Sequence, residues 1–375
     1  MELKNIQRKL YAEINLNAIE DNFNSIPKPI CCVVKANAYG HGAIELAHFY
    51  EKLGCKYFAV SNIEEAIQLR EHDITKPILI LGYTDPMCSK ELSEFNIEQC
   101  VYSLEYAKRL NEDAVKNNVK IKCHIKIDTG MGRIGFQYHD EHNELDEALV
   151  ACKLSNLIPY GIFMHFCVSD EGINDFTKKQ YNCFVKAIEY LESNGIKFKI
   201  HHSSNSGAIL DYKEYKMDMV RAGIILYGYN ASIYPHKLTP ALTLKSVVSH
   251  VKVLNKGDSV SYGRTFIAKG GERVATIPVG YADGFWRRNS GHYVIINGKK
   301  CKIIGRVCMD QMMVLSDDAK FGDEVIIYGE GISIDEVSDY NDTITYEILC
   351  AIGERVPRVY TYNGKIVDIR DNLLK

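Results

Sequence analysis

Between residues 30 and 228 the chain alternates short β-rich runs with amphipathic helical stretches, and this alternation constrains the fold more than any other feature. The β-rich runs fall at 30–35, 57–60, 77–81, 99–102, 120–128, 159–166, 198–203 and 219–226. Helical periodicity lies between them, as at 41–53, 63–71, 104–117 and 176–193. Strands joined by helical crossovers pair in parallel, and eight such units are the number that closes a (β/α)8 TIM-type barrel. An open doubly wound sheet is the alternative that alternation alone leaves standing.

After residue 235 the texture changes. Strand-like runs at 241–253, 273–278, 293–296, 300–304 and 324–328 are separated by Gly, Asn and Asp turns at 255–258, 270–271, 297–298 and 321–323. Only 333–340, opening on a Ser333/Glu336 capping box, and 343–352 read as helical. The expected organisation is a barrel over 1–232 followed by a mainly β C-terminal domain over 233–375, with residues 1–14 able to pair with the β domain.

Composition narrows the function classes. With 45 basic against 48 acidic residues the formal net charge is -3, which gives no basic footprint for nucleic acid. No run approaches the roughly 20 apolar residues of a membrane span, and the opening MELKNIQRKLYAEINL lacks the apolar core of a secretory signal. Twelve cysteines are scattered with no Cys-x-x-Cys spacing, a usage that fits reduced thiols in a cytoplasm. No group of His and carboxylates has metal-ligand spacing, so no metal is expected.

One lysine stands out. In a parallel barrel the functional residues sit at the C-terminal ends of strands, and Lys35 ends the first run, in VVKANAYGHG. Most lysines are merely solvated. This one follows Cys32-Val33-Val34, an interior-directed run, and desolvation favours the neutral amine that Schiff-base chemistry needs.

VVKANAYGHG closely resembles the pyridoxal-phosphate lysine motif of the bacterial alanine racemases. The likeness recurs, in order, in KIDTGMGRIGF at 126–136, MHF at 164–166, RAGIILYG at 221–228, SYGRTF at 261–266, VGYADG at 279–284 and GRVCMDQ at 305–311. The resemblance implies a barrel plus β domain, pyridoxal 5'-phosphate as cofactor, and racemisation of alanine by two-base proton transfer, supplying D-alanine for the cell wall.

The resemblance also implies roles. Lys35 holds the cofactor as a Schiff base and then serves as the base on one face; Tyr262, in SYGRTF, is the base on the other. A phenol is a poor base near neutrality, so Tyr262 needs cations or donors nearby, which His165 and Arg221 would supply. Arg221 donates to the pyridine nitrogen without surrendering a proton. His165 stacks on the ring. Tyr39, Asn205, Ser206 and the amides of Gly223 and Ile224 hold the phosphate. Arg133 binds the substrate carboxylate or the cofactor's phenolic oxygen, with Lys126 as a possible carbamylated lysine holding it in place. Met309, through its main-chain amide, and Asp310 approach the substrate, and Tyr281 lines the entrance. Because Lys35 and Tyr262 fall in different domains, the family geometry implies a homodimer with sites shared between subunits.

The pattern breaks at one place. Family members carry a tyrosine before RVPR; this chain reads CAIGERVPRVY, with Glu354 there. A buried carboxylate beside a phosphate is expensive, so Glu354 is expected to face solvent or to pair with Arg355 or Arg358. The change leaves serine as an alternative substrate. A barrel-type amino-acid decarboxylase lacks support because no glycine-triplet phosphate loop is present. A non-catalytic pyridoxal-phosphate carrier has no use for the second domain's SYGRTF and CMDQ.

Overall fold

The computed structural model describes residues 6–374. The chain folds as two compact units, one made of residues 21–38 and 43–238, the other of residues 6–20, 39–42 and 239–374.

The first unit is the barrel. Its strands are Ile30–Val33, Tyr57–Val60, Ile78–Ile80, Ile97–Val101, Ile121–Asp128, Leu157–Phe163, Ile200–His202 and Val220–Ala222. The first seven pair in parallel with their sequence neighbours, and the eighth returns to the first, with Val220 opposite Ile30 and Arg221 opposite Cys31. The seventh and eighth strands are joined by the Asp218 amide donating to the His201 carbonyl and the Arg221 amide to that of Ser204, each at 3.0 Å. Those bonds close the barrel and remove the open-sheet alternative. Ile78, Leu79, Ile80, Ile125, Ile127 and Ile162 are fully buried, the aliphatic filling that parallel strands covered on both faces require.

Two expected elements differ. The run at 219–226 is a three-residue strand followed by a 3-10 turn, Ile224–Tyr227, because the backbone of Gly223 leaves the extended conformation. The helix expected from 41 begins at Ala43, and Ala36, Asn37, Ala38 and Tyr39 instead hold φ between 51° and 53°. Left-handed backbone costs an ordinary residue roughly 1–2 kcal/mol, so four in a row need outside support. Glu65 supplies part of it: its carboxylate accepts the Ala36 amide at 2.6 Å and the Ser61 amide at 2.8 Å. The Asn37 side chain caps the Ala43 amide at 2.8 Å. The strained turn immediately follows Lys35.

The second unit is built on a ten-stranded sheet in the order His250–Val253, Arg273–Ile277, Met312–Leu315, Lys299–Ile304, Tyr293–Ile296, Glu324–Tyr328, Leu242–Val247, Tyr11–Asn15, Arg358–Tyr362 and Lys365–Arg370. All neighbours are antiparallel except Tyr11–Asn15 with Arg358–Tyr362. The single run expected at 241–253 is two strands, broken at Val248 and Ser249, whose amides donate to the carbonyls of Asp323 and Thr276 instead. The strands at 312–315, 358–362 and 365–370 went unread because each is short and flanked by charge. No helix among the described residues is long and apolar enough to cross a membrane.

Candidate active site

Barrel geometry sends the chemistry to one end. Lys35 follows the first strand; Lys126 and Asp128 close the fifth; His165 follows the sixth; Asn205 and Ser206 follow the seventh; and Arg221 lies in the eighth, with Gly223 and Ile224 just beyond. All belong to the C-terminal mouth of the barrel, where parallel strand ends and loops converge.

The mouth is rich in positive charge. Burial pushes the His165 imidazole well below its ordinary range, and the neighbouring cations Arg221, Lys126, Arg133 and Lys35 push it the same way. Neutral His165 accepts at Nδ1 from Arg221 at 3.4 Å. Lys126 is 2 % exposed, donates to the Ile127 carbonyl at 2.9 Å, and is brought down to about 8, chiefly by burial. Among the described residues Arg133 has no ion-pair partner for its guanidinium.

Arg221 is held from several sides. One terminal nitrogen donates to His202 Nδ1 at 2.9 Å and to the His202 carbonyl at 3.0 Å; the other donates to the carbonyls of Met164 at 2.8 Å and Ser203 at 3.0 Å. Its Nε–H has no acceptor among the described residues. A buried, oriented guanidinium with one N–H to spare fits an aromatic ring nitrogen, and the surrounding cations fit a phosphate and a carboxylate. The residues present therefore suit pyridoxal phosphate.

Phosphate-type donors gather beside it. Asn205 caps the helix Ser206–Asp211 by accepting the Ala208 amide at 3.1 Å, and is itself fixed by the Ser169 hydroxyl at 2.8 Å. Ser206 Oγ accepts the Gly223 amide at 3.1 Å, which ties the two loops together. Ile224 opens a 3-10 turn, so its amide has no partner within that turn.

Arg133 owes its position to a residue that sequence reading passed over. The buried Asp128 carboxylate accepts the amides of Gly130, Met131, Gly132 and Arg133 at 2.7–3.2 Å, folding GMGR around one anion. An aspartate followed two residues later by Gly-Met-Gly was the available signal, since glycines let successive amides converge.

The second unit carries the other expected residues, and its loops bring them together around Cys308. Ser261, before Tyr262, donates to the Arg306 carbonyl at 2.5 Å and lies 3.4 Å from Cys308 Sγ. The Tyr281 amide donates to the Cys308 carbonyl at 3.1 Å, and the Ala282 amide to that of Met309 at 3.0 Å. Gly280 permits this approach: a Cβ there would sit 2.3 Å from the Cys308 carbonyl oxygen. Tyr262 is 70 % exposed, Met309 52 % and Tyr281 42 %. Tyr39, in the same unit, is buried with its ring 5.9 Å from that of Tyr346.

Asp310 is tethered by ion pairs that sequence reading also missed. Arg355 bonds Asp310 at 2.5 Å and Asp283 at 2.9 Å, while Arg8 grips Asp283 through both terminal nitrogens at 2.5 and 2.7 Å. Arg358 is spent on the carbonyls of Gly40, Gly353, Val356 and Ile352. Both candidate partners being engaged, Glu354 faces solvent.

The chain is similar to known proteins over nearly its whole length. Residues 14–231 match the family described as alanine racemase, N-terminal domain, and residues 241–360 match alanine racemase, C-terminal domain. An alanine racemase of Clostridium perfringens is 46 % identical, the match covering 97 % of this chain and 98 % of that one. The solved alanine racemase of Clostridium difficile superposes with a TM-score of 0.93 at 42 % identity, covering 98 % of this chain and 100 % of that one. The Bacillus anthracis alanine racemase with bound L-Ala-P gives 0.92 at 36 % identity, covering 98 % of each. A chain with this barrel mouth, this second unit and these likenesses over nearly its whole length belongs to the alanine racemase family.

Proposed function

We propose that this protein interconverts L-alanine and D-alanine with pyridoxal phosphate as cofactor. The observation that carries the reading is the guanidinium of Arg221, buried with one N–H unspent, in a mouth where Lys35, Lys126 and Arg133 also converge. The bound cofactor supplies the electron sink without which the α-hydrogen of an amino acid is too weakly acidic to remove. Arg221 contributes a fixed donor that does not give up its proton, which moderates that sink and favours return of the proton over side reactions. The Lys35 amine moves the proton on one face, and the Tyr262 phenol on the other. Asn205, Ser206, Gly223, Ile224 and Tyr39 bind phosphate; Arg133 and the Met309 amide orient the substrate carboxylate.

Lys126 is proposed to be carbamylated. At about 8, roughly one such amine in ten is neutral near pH 7, against about one in several thousand for an ordinary lysine. Its Nζ lone pair attacks carbon dioxide and loses a proton to solvent, leaving a carbamate anion between Arg133 and Arg221. Extra density on Lys126 in a crystal structure is the expected result.

The exposure of Tyr262, Met309 and Tyr281 supports a homodimer with sites shared between subunits. The setting is cytoplasmic, as the scattered spacing of the twelve cysteines favours, and the product serves cell-wall synthesis. The test is D-enantiomer formation from L-alanine and L-serine in parallel on cofactor-loaded protein. Faster turnover of alanine is expected; serine turnover equal or greater would move the assignment to a serine racemase. No turnover of either, with cofactor bound at Lys35, would overturn the racemase reading.

A further inference from the structure

A chain of buried polar side chains crosses the barrel interior below Arg221. Arg221 NH1 meets His202 Nδ1 at 2.9 Å; His202 Nε2 meets His124 Nδ1 at 2.8 Å; His124 Nε2 meets Glu98 Oε2 at 2.9 Å; and Tyr57 donates to the same oxygen at 2.5 Å. Five of the eight strands contribute one member each. His124 and His202 are wholly buried, and Glu98, Arg221 and Tyr57 are at most 5 % exposed. Parallel barrels normally fill this space with branched aliphatics.

The chain is built rather than incidental. Gly161, on the sixth strand, lies against the His124 ring, and a Cβ there would fall 2.3 Å from His124 Nδ1. Any other residue would evict the imidazole. His202 is stacked flat on Phe163, 4.9 Å between centroids at 2°, so its ring plane is fixed as well.

The donors then have one solution. Arginine only donates, so His202 Nδ1 carries no proton and accepts. Neutral His202 must hold its proton on Nε2 and donate it to His124 Nδ1. His124 in turn holds its proton on Nε2 and donates to Glu98, which also accepts from Tyr57. Reversing any link would turn an N–H of His202 against the guanidinium.

We propose that Glu98 is a positioning residue for the racemisation reaction: acting through His124 and His202, it fixes the tautomer that receives Arg221 and so holds the guanidinium's spare N–H on the cofactor ring. The anion anchors one end of the chain and the cation the other. Glu98 itself touches neither cofactor nor substrate. The inference rests on the reading of Arg221 as the residue facing the cofactor.

The test is nitrogen-15 NMR of histidine-labelled full-length protein, before and after loading with pyridoxal phosphate. Both His202 and His124 are expected as neutral imidazoles protonated at Nε2; either ring found as imidazolium, or protonated at Nδ1, overturns the proposal. In Glu98→Gln the amide oxygen still accepts, so the tautomers persist, while the His124 Nε2 proton signal moves upfield as its acceptor loses charge. An unmoved signal would mean that Glu98 is not the anchor. In Glu98→Ala, His202 is expected to populate both tautomers, the cofactor's absorbance band to shift, and turnover to fall about 10–100-fold, as second-layer partners of a reactive centre do. A fall in turnover with tautomers and band unchanged would show a structural role only. Failure of the protein to take up cofactor at all would sink the functional reading while leaving the tautomer measurement intact.

Discussion

The barrel mouth and the loops of the second unit solve the problem of placing reactive side chains in opposite ways. In the barrel the polar groups are buried and over-determined: Arg221 makes five bonds, Asp128 collects four amides, and Glu65 pins the strained turn after Lys35. In the second unit Tyr262, Tyr281 and Met309 are exposed, and only the backbone beneath them is fixed, by Gly280 and by the Arg8–Asp283–Arg355 tether. Groups that hold a resident cofactor repay rigidity, because each dipole must point one way before the reaction begins. Groups that meet a small substrate need a fixed base and a free tip.

The sharpest way to break that comparison is to remove the reactive atom from each side. Lys35→Ala is expected to abolish turnover, by more than about 1,000-fold, and to remove covalently held cofactor, read from its absorbance. Tyr262→Phe should cost about 100–10,000-fold while leaving bound cofactor unchanged, since the role proposed for the phenol is proton transfer alone. If Tyr262→Phe also released the cofactor, the division of labour between the regions would be wrong.

Next in size is a pH effect confined to the barrel. Lys126 is held near 8 by burial, against an ordinary value near 10.5. Between these values the unfolded chain binds the proton that the folded chain has shed, so stability rises with pH across roughly 8 to 10.5 and the full penalty lies below that window. The penalty is on the order of 3 kcal/mol. Subtracting the profile of Lys126→Met, measured by denaturation in carbon-dioxide-free buffer, should isolate this upward slope. Added bicarbonate should reduce the difference, because the proposed carbamate would replace a buried cation with an anion close to Arg133 and Arg221.

How much of this was legible in the sequence follows the same division. The βα alternation, the lysine after VV, and the short motifs were readable because strand-end positions carry their chemistry locally. His124, His202 and Glu98 were not, since each sits in a run that reads only as strand, and nothing in the run 97–101 hints that Glu98 meets a histidine 26 residues on. The Asp283 tether joins residues 275 apart, at Arg8 and Asp283, and local patterning cannot carry that. The left-handed backbone at 36–39 was not legible because Ala-Asn-Ala-Tyr has no glycine of its own to announce positive φ.

For the stability of the second unit the tether should matter more than the exposed tips. Asp283 has a fully buried side chain, whereas Arg8 and Arg355 are about a third exposed, so solvent discounts the pairs. Asp283→Asn is therefore expected to cost about 1–3 kcal/mol, seen as a lower melting temperature. It should also raise KM more than it lowers kcat, because the Met309–Asp310 backbone loses its support. An unchanged KM would separate the tether from substrate binding.

The smallest effect is expected where the chain departs from its family. Glu354 faces solvent, and the two arginines beside it are engaged with Asp283, Asp310 and backbone carbonyls. Removing its charge leaves those pairs in place, so Glu354→Gln should change stability by no more than about 0.5 kcal/mol and alanine turnover by less than about threefold. Glu354→Tyr is more informative, because it installs the aromatic ring that the family resemblance leads one to expect before RVPR. If that ring only lines an entrance, the ratio of alanine to serine turnover should stay within a few-fold of the starting protein. A tenfold shift in that ratio would show that an exposed position selects substrate, and that specificity in the second unit resides in the loop tips rather than in the tether.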